Sequence, residues 1–247
     1  MTTDTTPRIA LVTGAAGGMG RAISKSLLNS GHRVILADRN ADAVRELAAE
    51  MGNAAMALPF DVTDKTAVDG IVESLPADWR PVDILINNAG HDIGGRTRFD
   101  EGSPDDWSGI IETNLIGLMR VTRALLPEMV RRDTGDIVNM SSISALRIVP
   151  DMAAYTTSKA GVRAFTDVLR GELAETGIRV TEILPGLTRT NIIRTRYRGD
   201  TTKEKAYFDA YKMALDPADV ARCILFALSQ PRSVQIAQLV VLPLNRW

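Results

Sequence analysis

Short, unbroken apolar runs alternate with longer stretches of helical periodicity along this chain. The runs at residues 9–13, 33–38, 54–60, 82–87, 136–141, 179–184 and 238–242 lack the in–out alternation of a half-exposed strand. Strands buried on both faces belong to a parallel sheet covered by helices on each side. Between the runs, residues 20–30, 41–51, 64–75, 104–132, 153–176 and 217–229 carry helical patterns. Gly31, Gly52 and Gly177 follow three of these as C-terminal stops, and Thr63 is an N-cap candidate for a fourth. This alternation predicts an α/β fold: a doubly wound, mainly seven-stranded parallel sheet with helices on both faces (a Rossmann fold), in one domain over 1–247. No repeat, low-complexity tract or linker divides it. Residues 185–202 hold Pro, Gly and four arginines (Arg189, Arg194, Arg196, Arg198) without clear periodicity, which predicts a lid or substrate loop at about 185–213.

Composition narrows the function classes. Of 247 residues, 45% are hydrophobic and 24% charged, ample for one globular core. A net charge of −1 gives no basic surface for nucleic acid. With two histidines far apart and one cysteine, no metal site is expected; Cys223, in an apolar run, is expected to be a buried thiol. No apolar run approaches a membrane span, and the opening MTTDTTPR lacks a basic-then-apolar signal, so a cytoplasmic protein is expected.

Directly after the first strand comes Thr13-Gly-Ala-Ala-Gly-Gly-Met-Gly20. Glycines there permit a tight turn and let the backbone approach a pyrophosphate, while the next helix offers N–H donors and a positive dipole end. The spacing uses Gly14, Gly18 and Gly20, with Gly17 and Met19 in the same turn. Asp38 closes the second strand, where a carboxylate would hold an adenosine ribose. That charge would repel a 2′-phosphate, so NAD is expected over NADP. Arg39 points the other way, since it could stack on adenine or meet a phosphate, and NADP is left open.

Tyr155 and Lys159 lie one helical turn apart, the only tyrosine of four with a lysine at that offset. A phenol near pKa 10 holds its proton too tightly for base work near neutrality, and an ammonium within about 4–6 Å favours phenolate. Ser142, at a strand end, could hold a substrate oxygen. Ser141 should face the other way.

At these residues the chain resembles the short-chain dehydrogenase/reductase family. The matching pieces run TGAAGGMG, Asp38, Asp61-Val62, Asn87-Asn88-Ala89-Gly90, Asn114, Ser142, YTTSK and Pro185-Gly186, with 13 residues from Ser142 to Tyr155. The resemblance implies a secondary alcohol dehydrogenase or carbonyl reductase. Tyr155 would be its general acid/base, Lys159 would also bind the nicotinamide ribose, and Asn114 would reach Lys159 through water. Asp61 and Val62 would meet adenine, Asn88, Ala89 and Gly90 the cofactor's middle, and Pro185, Gly186, Thr188 and Thr190 the nicotinamide end. It also implies a homotetramer, with a homodimer second, through helices carrying Leu118, Val121, Leu125, Val162, Phe165 and Val168. The ending Leu239–Trp247 resembles the tails of members acting on 3-hydroxy acids, a subgroup that often uses NADP; Asp38 is given the greater weight.

The substrate is expected to be a small, possibly anionic, hydroxy compound. His91 and Ser144 are candidates to line its site, and Arg147, Arg194 or Arg196 to clamp its charge. The alternatives are an NADPH-dependent 3-oxoacyl thioester reductase and, from other classes, a non-catalytic dinucleotide-binding protein or a methyltransferase.

Overall fold

The computed structural model describes residues 7–211 and 213–244; Asn245, Arg246 and Trp247 of the tail, and the first six residues, lie outside it. Seven strands form one sheet in the order β3-β2-β1-β4-β5-β6-β7. They are β1 (Ile9–Thr13), β2 (Arg33–Asp38), β3 (Ala55–Pro59), β4 (Ile84–Asn87), β5 (Gly135–Met140), β6 (Ile178–Pro185) and β7 (Gln238–Val241). Every pairing is parallel. The chain winds outward from β1 to β3, then crosses back to β4 on the other side of β1. Such a reversal opens a crevice at the strands' carboxyl ends, the usual seat of ligands in open α/β sheets.

Successive residues of β1 feed opposite faces, which is why the strands read as unbroken apolar runs. Ala10 and Val12 pack with Ile23 and Leu27 of α1 (Gly18–Asn29), Val44 of α2 (Ala41–Met51) and Ile224 of α10 (Pro217–Leu228). Leu11 packs on the other face, with Val121 and Met129 of α6 (Leu118–Arg132) and Leu169 of α7 (Ala153–Glu172).

Four details differ from the periodicity. The expected helix at 64–75 is broken at Gly70 into α3 (Lys65–Asp69) and α4 (Ile71–Ser74), and Asp64 rather than Thr63 is its cap, accepting from the Ala67 amide at 3.1 Å. The long helix expected over 104–132 is interrupted between α5 (Pro104–Ile111) and α6 by a π-helical turn, Glu112–Gly117. The loop expected over 185–202 contains α8 (Ile192–Arg196) and leads into a helix not expected at all, α9 (Thr201–Ala210). Asp200 caps α9 by accepting from the Thr202 and Lys203 amides, yet none of its residues is buried, so it carries no apolar stripe to announce it. Cys223 is also more exposed than expected, being half-buried; Leu118, Val121, Leu125 and Val162 are core, while Val168 lies on the surface. Among the described residues, no helix is long and apolar enough to cross a membrane.

Candidate active site

A cleft of about 540 Å³ opens at the carboxyl ends of the central strands. One end is walled by the glycine turn. Gly14 sits at φ +65°, and a Cβ on Gly20 would fall 2.2 Å from the Gly14 carbonyl oxygen, so neither position admits a side chain. Gly17 caps α1 without a side chain, leaving the first N–H groups of a 12-residue helix open at a bare backbone wall that also includes Gly18 and Met19. Thr190 stands opposite, 3.6 Å from where a Gly18 Cβ would be. The wall is braced from behind: Asn88 Nδ2 donates to the carbonyls of Thr13 (2.9 Å) and Gly14 (3.1 Å), and Thr13 Oγ1 accepts from the Asn88 and Ala89 amides. Asn87 points into the sheet, donating to Thr122 and Asn139, and so stitches β4 to its neighbours. A side-chain-free cradle at a helix N-terminus fits a pyrophosphate. Asp61, Val62, Gly90, Pro185, Gly186 and Thr188 border the same cleft. Asp61 Oδ1 is engaged by Thr63 N and Oγ1, and Thr188 Oγ1 donates to the Gly186 carbonyl.

Ser142 leaves the end of β5, its hydroxyl accepts from the Ser144 amide at 3.1 Å, and it borders the same cleft as Tyr155. Ser141 borders the cleft as well, and its hydroxyl donates to the Lys159 carbonyl. Tyr155 and Lys159 share one face of α7, with Nζ 5.8 Å from the ring centroid and donating to the Met140 carbonyl at 2.8 Å. Asn114 lies behind this group, 0% exposed and outside the cleft wall. Its Oδ1 accepts from the His91 amide, and its Nδ2 donates to the His91 carbonyl and to Ser158 Oγ, so it ties the loop after β4 to α7. The π turn that carries it widens the helix at this point, a feature that recurs at functional sites. A Cβ on Gly90 would stand 3.1 Å from Asn114 Oδ1 and 3.6 Å from Lys159 Nζ, so only glycine leaves that junction undisturbed.

Burial dominates the electrostatics. The Tyr155 hydroxyl is pushed up to about 12 by desolvation and by the Asp92 carboxylate, against the Ser142 hydrogen bond and Arg196. Lys159 is pushed down to about 8 by desolvation, with Asp92 opposing. Burial thus moves the two groups in opposite directions, the phenol up and the ammonium down.

The arginines diverge. Arg147 and Arg196 border the cleft, together with His91 and Ser144. Arg194 does not; it turns outward toward Glu204, 3.8 Å away. Arg198 pairs with Asp106, and Arg189 lies over Phe208. His91 is held below the usual histidine range by burial and by Arg39. The cleft residues that escaped the sequence reading include Arg96, Tyr207 and Tyr211. The two tyrosines, four residues apart just beyond the arginine loop, were the available signal.

Residues 8–200 match the short chain dehydrogenase family. The chain is 37% identical over 240 residues to the NADP-dependent 3-hydroxy acid dehydrogenase YdfG of Escherichia coli strain K12, covering 96% of each chain. It is 37% identical over 235 residues to a probable NADP-dependent dehydrogenase of Haemophilus influenzae, covering 95% of this chain and 92% of that one. Its fold superposes on the closed form of a serine dehydrogenase complexed with NADP+ at a TM-score of 0.93 and 36% identity, covering 97% and 96% of the two chains. These relatives overturn the expectation of NAD drawn from Asp38. The geometry supplies the reason. Asp38 Oδ2 accepts from the Ala16 amide at 3.0 Å and Oδ1 from the Asn40 amide at 2.9 Å, so the carboxylate serves the glycine turn and its own strand end. Arg39, beside it on the cleft wall, is exposed and has no ion pair among the described residues.

Proposed function

The chain belongs to the short chain dehydrogenase family and is an oxidoreductase acting on a hydroxy compound, and on that premise we propose that it interconverts a small 3-hydroxy acid and its keto acid with NADP(H). The observation that carries this reading is that Ser142, Tyr155 and buried Lys159 border one glycine-walled cleft. NADP would lie along that wall and supply or accept the hydride at the carbon bearing the substrate oxygen. The rest falls to the chain. Tyr155 gives its proton to that oxygen in reduction and removes it in oxidation. Ser142 donates to the same oxygen and stabilises its developing charge. Lys159, fixed by the Met140 carbonyl, holds the ribose hydroxyls. Asn114 keeps His91 and α7 in register. Arg39 takes the 2′-phosphate, being the cation at the adenosine end without a carboxylate partner.

The test is a panel of 3-hydroxy acids, plain secondary alcohols and 3-oxoacyl thioesters, followed at the absorbance of the reduced cofactor with NADP or NAD. Activity on a 3-hydroxy acid with NADP is expected to exceed the others, and an equal response to both cofactors would contradict the reading. Arg39→Ala is expected to weaken NADPH binding by about tenfold to a hundredfold, the worth of a charge-assisted hydrogen bond, and NADH binding little. A cytoplasmic homotetramer completes the reading. Val168, Phe226 and Val240 leave apolar surface on α7, α10 and β7 that subunit contacts would cover. Light scattering is expected to give four times the chain mass of 26.8 kDa.

A further inference from the structure

Arg196 differs from the other arginines around the cleft in being 6% exposed. Its Nε donates to Asp92 Oδ2 at 2.7 Å across 104 residues of sequence, and its guanidinium carbon lies 5.2 Å from the Tyr207 ring centroid. Its stem is boxed in as well: Gly95 stands at φ +70°, and a Cβ there would be 3.0 Å from Arg196 Cγ. Yet its Nη1, equally buried, has no hydrogen-bond partner among the described residues. An unmet buried donor is costly, and more so when charged, so such groups call for an explanation. Here the explanation is at hand, because Arg196 borders the same cleft as Tyr155 and Ser142.

We infer that Arg196 is the residue that binds the substrate carboxylate, and that Asp92 is a positioning residue holding the guanidinium by its Nε edge. This rests on the reading of the chain as a 3-hydroxy acid dehydrogenase. The division of labour follows from guanidinium geometry. A planar fork anchored at Nε cannot swing, and its far edge matches a carboxylate. Asp92 is 1% exposed and is not on the cleft wall, so it steadies the arginine without meeting the ligand. Arg194 and Arg198 are spent on Glu204 and Asp106. Arg147, though on the wall, is exposed, and a solvated cation earns less from a carboxylate than a desolvated one.

The experiment compares a 3-hydroxy acid with its methyl ester, with NADP saturating, in the wild type and in Arg196→Gln, Arg196→Lys and Asp92→Asn. For the acid, KM is expected to rise about tenfold to a hundredfold in Arg196→Gln, and less in Arg196→Lys and Asp92→Asn, with kcat changing little. KM for the ester is expected to stay within about twofold. NADPH fluorescence titration reports whether each variant keeps its fold; should Arg196→Gln not fold, Arg196→Lys and Asp92→Asn decide the matter. If the wild type does not prefer the acid, the substrate class of the proposed function is wrong and this inference falls with it. If the wild type prefers the acid and the variants lose acid and ester alike, or keep the preference, only the role of Arg196 is overturned.

Discussion

Tyr155→Phe is expected to lower kcat by about a hundredfold to ten-thousandfold in both directions, with NADPH bound as tightly as by the wild type. The change removes one hydroxyl and little volume, so the ring keeps its place in the cluster with Ile110 and Met152. What disappears is the proton that the substrate oxygen exchanges. Oxidation should also reveal the group by its pH profile. The phenol is pushed up to about 12 in the ligand-free chain, and oxidation needs it deprotonated. The rate of alcohol oxidation should therefore climb as pH rises from 6 to 9, because below the pKa each unit of rising pH increases the phenolate fraction about tenfold. Reduction uses the neutral phenol and should be nearly flat over that range. Initial rates in both directions, with the cofactor saturating, check this. A Phe variant within about threefold of wild-type kcat would end the assignment of Tyr155 as acid and base.

What the sequence made legible was local. The glycine turn, the one-turn offset of Tyr155 and Lys159, and the two-sided burial of the strands each depend on residues a few positions apart, so spacing alone expresses them. Strand alternation separates Ser142 from Ser141 for the same reason; the Ser142 hydroxyl accepts from the Ser144 amide, while that of Ser141 donates to the Lys159 carbonyl. The rest depends on partners far along the chain. Asp38 read as a ribose ligand, but one of its oxygens is held by the Ala16 amide 22 residues away, a backbone donor with no signature of its own. Arg196 was one of four similar arginines until Asp92, 104 residues upstream, singled it out. Asn114 falls inside the helix expected over 104–132, because nothing in its neighbours announces the π turn at Glu112–Gly117. Helix α9 went unseen since it buries nothing, and periodicity reports only burial.

The second large effect lies on the opposite side of the molecule from any chemistry. Asp136, near the start of β5 and almost fully buried, gathers three guanidiniums from separate segments. Its Oδ1 accepts from Arg179 Nε at 2.6 Å, and its Oδ2 from Arg8 and, at 2.8 Å, from Arg232. Through Arg179 it also secures the chain after α10, where the carbonyls of Leu228, Gln230 and Val234 accept from the same guanidinium. Asp136→Asn keeps the shape and removes the only carboxylate among the described residues that these three cations share. Leaving a buried guanidinium without its counter-charge costs about 3–5 kcal/mol. For a domain of this size each kcal/mol lowers Tm by about 2–4 °C, so a fall of roughly 6–20 °C is expected by calorimetry. Arg232→Ala, on the more exposed arm, should cost no more than about 1 kcal/mol. The kcat of whatever fraction stays folded should match the wild type, because the sheet separates Asp136 from the cleft by the full length of β5. An Asp136→Asn protein that melts within about 2 °C of the parent would mean that the arginines satisfy themselves on the neighbouring carbonyls, and that the carboxylate is dispensable to the fold.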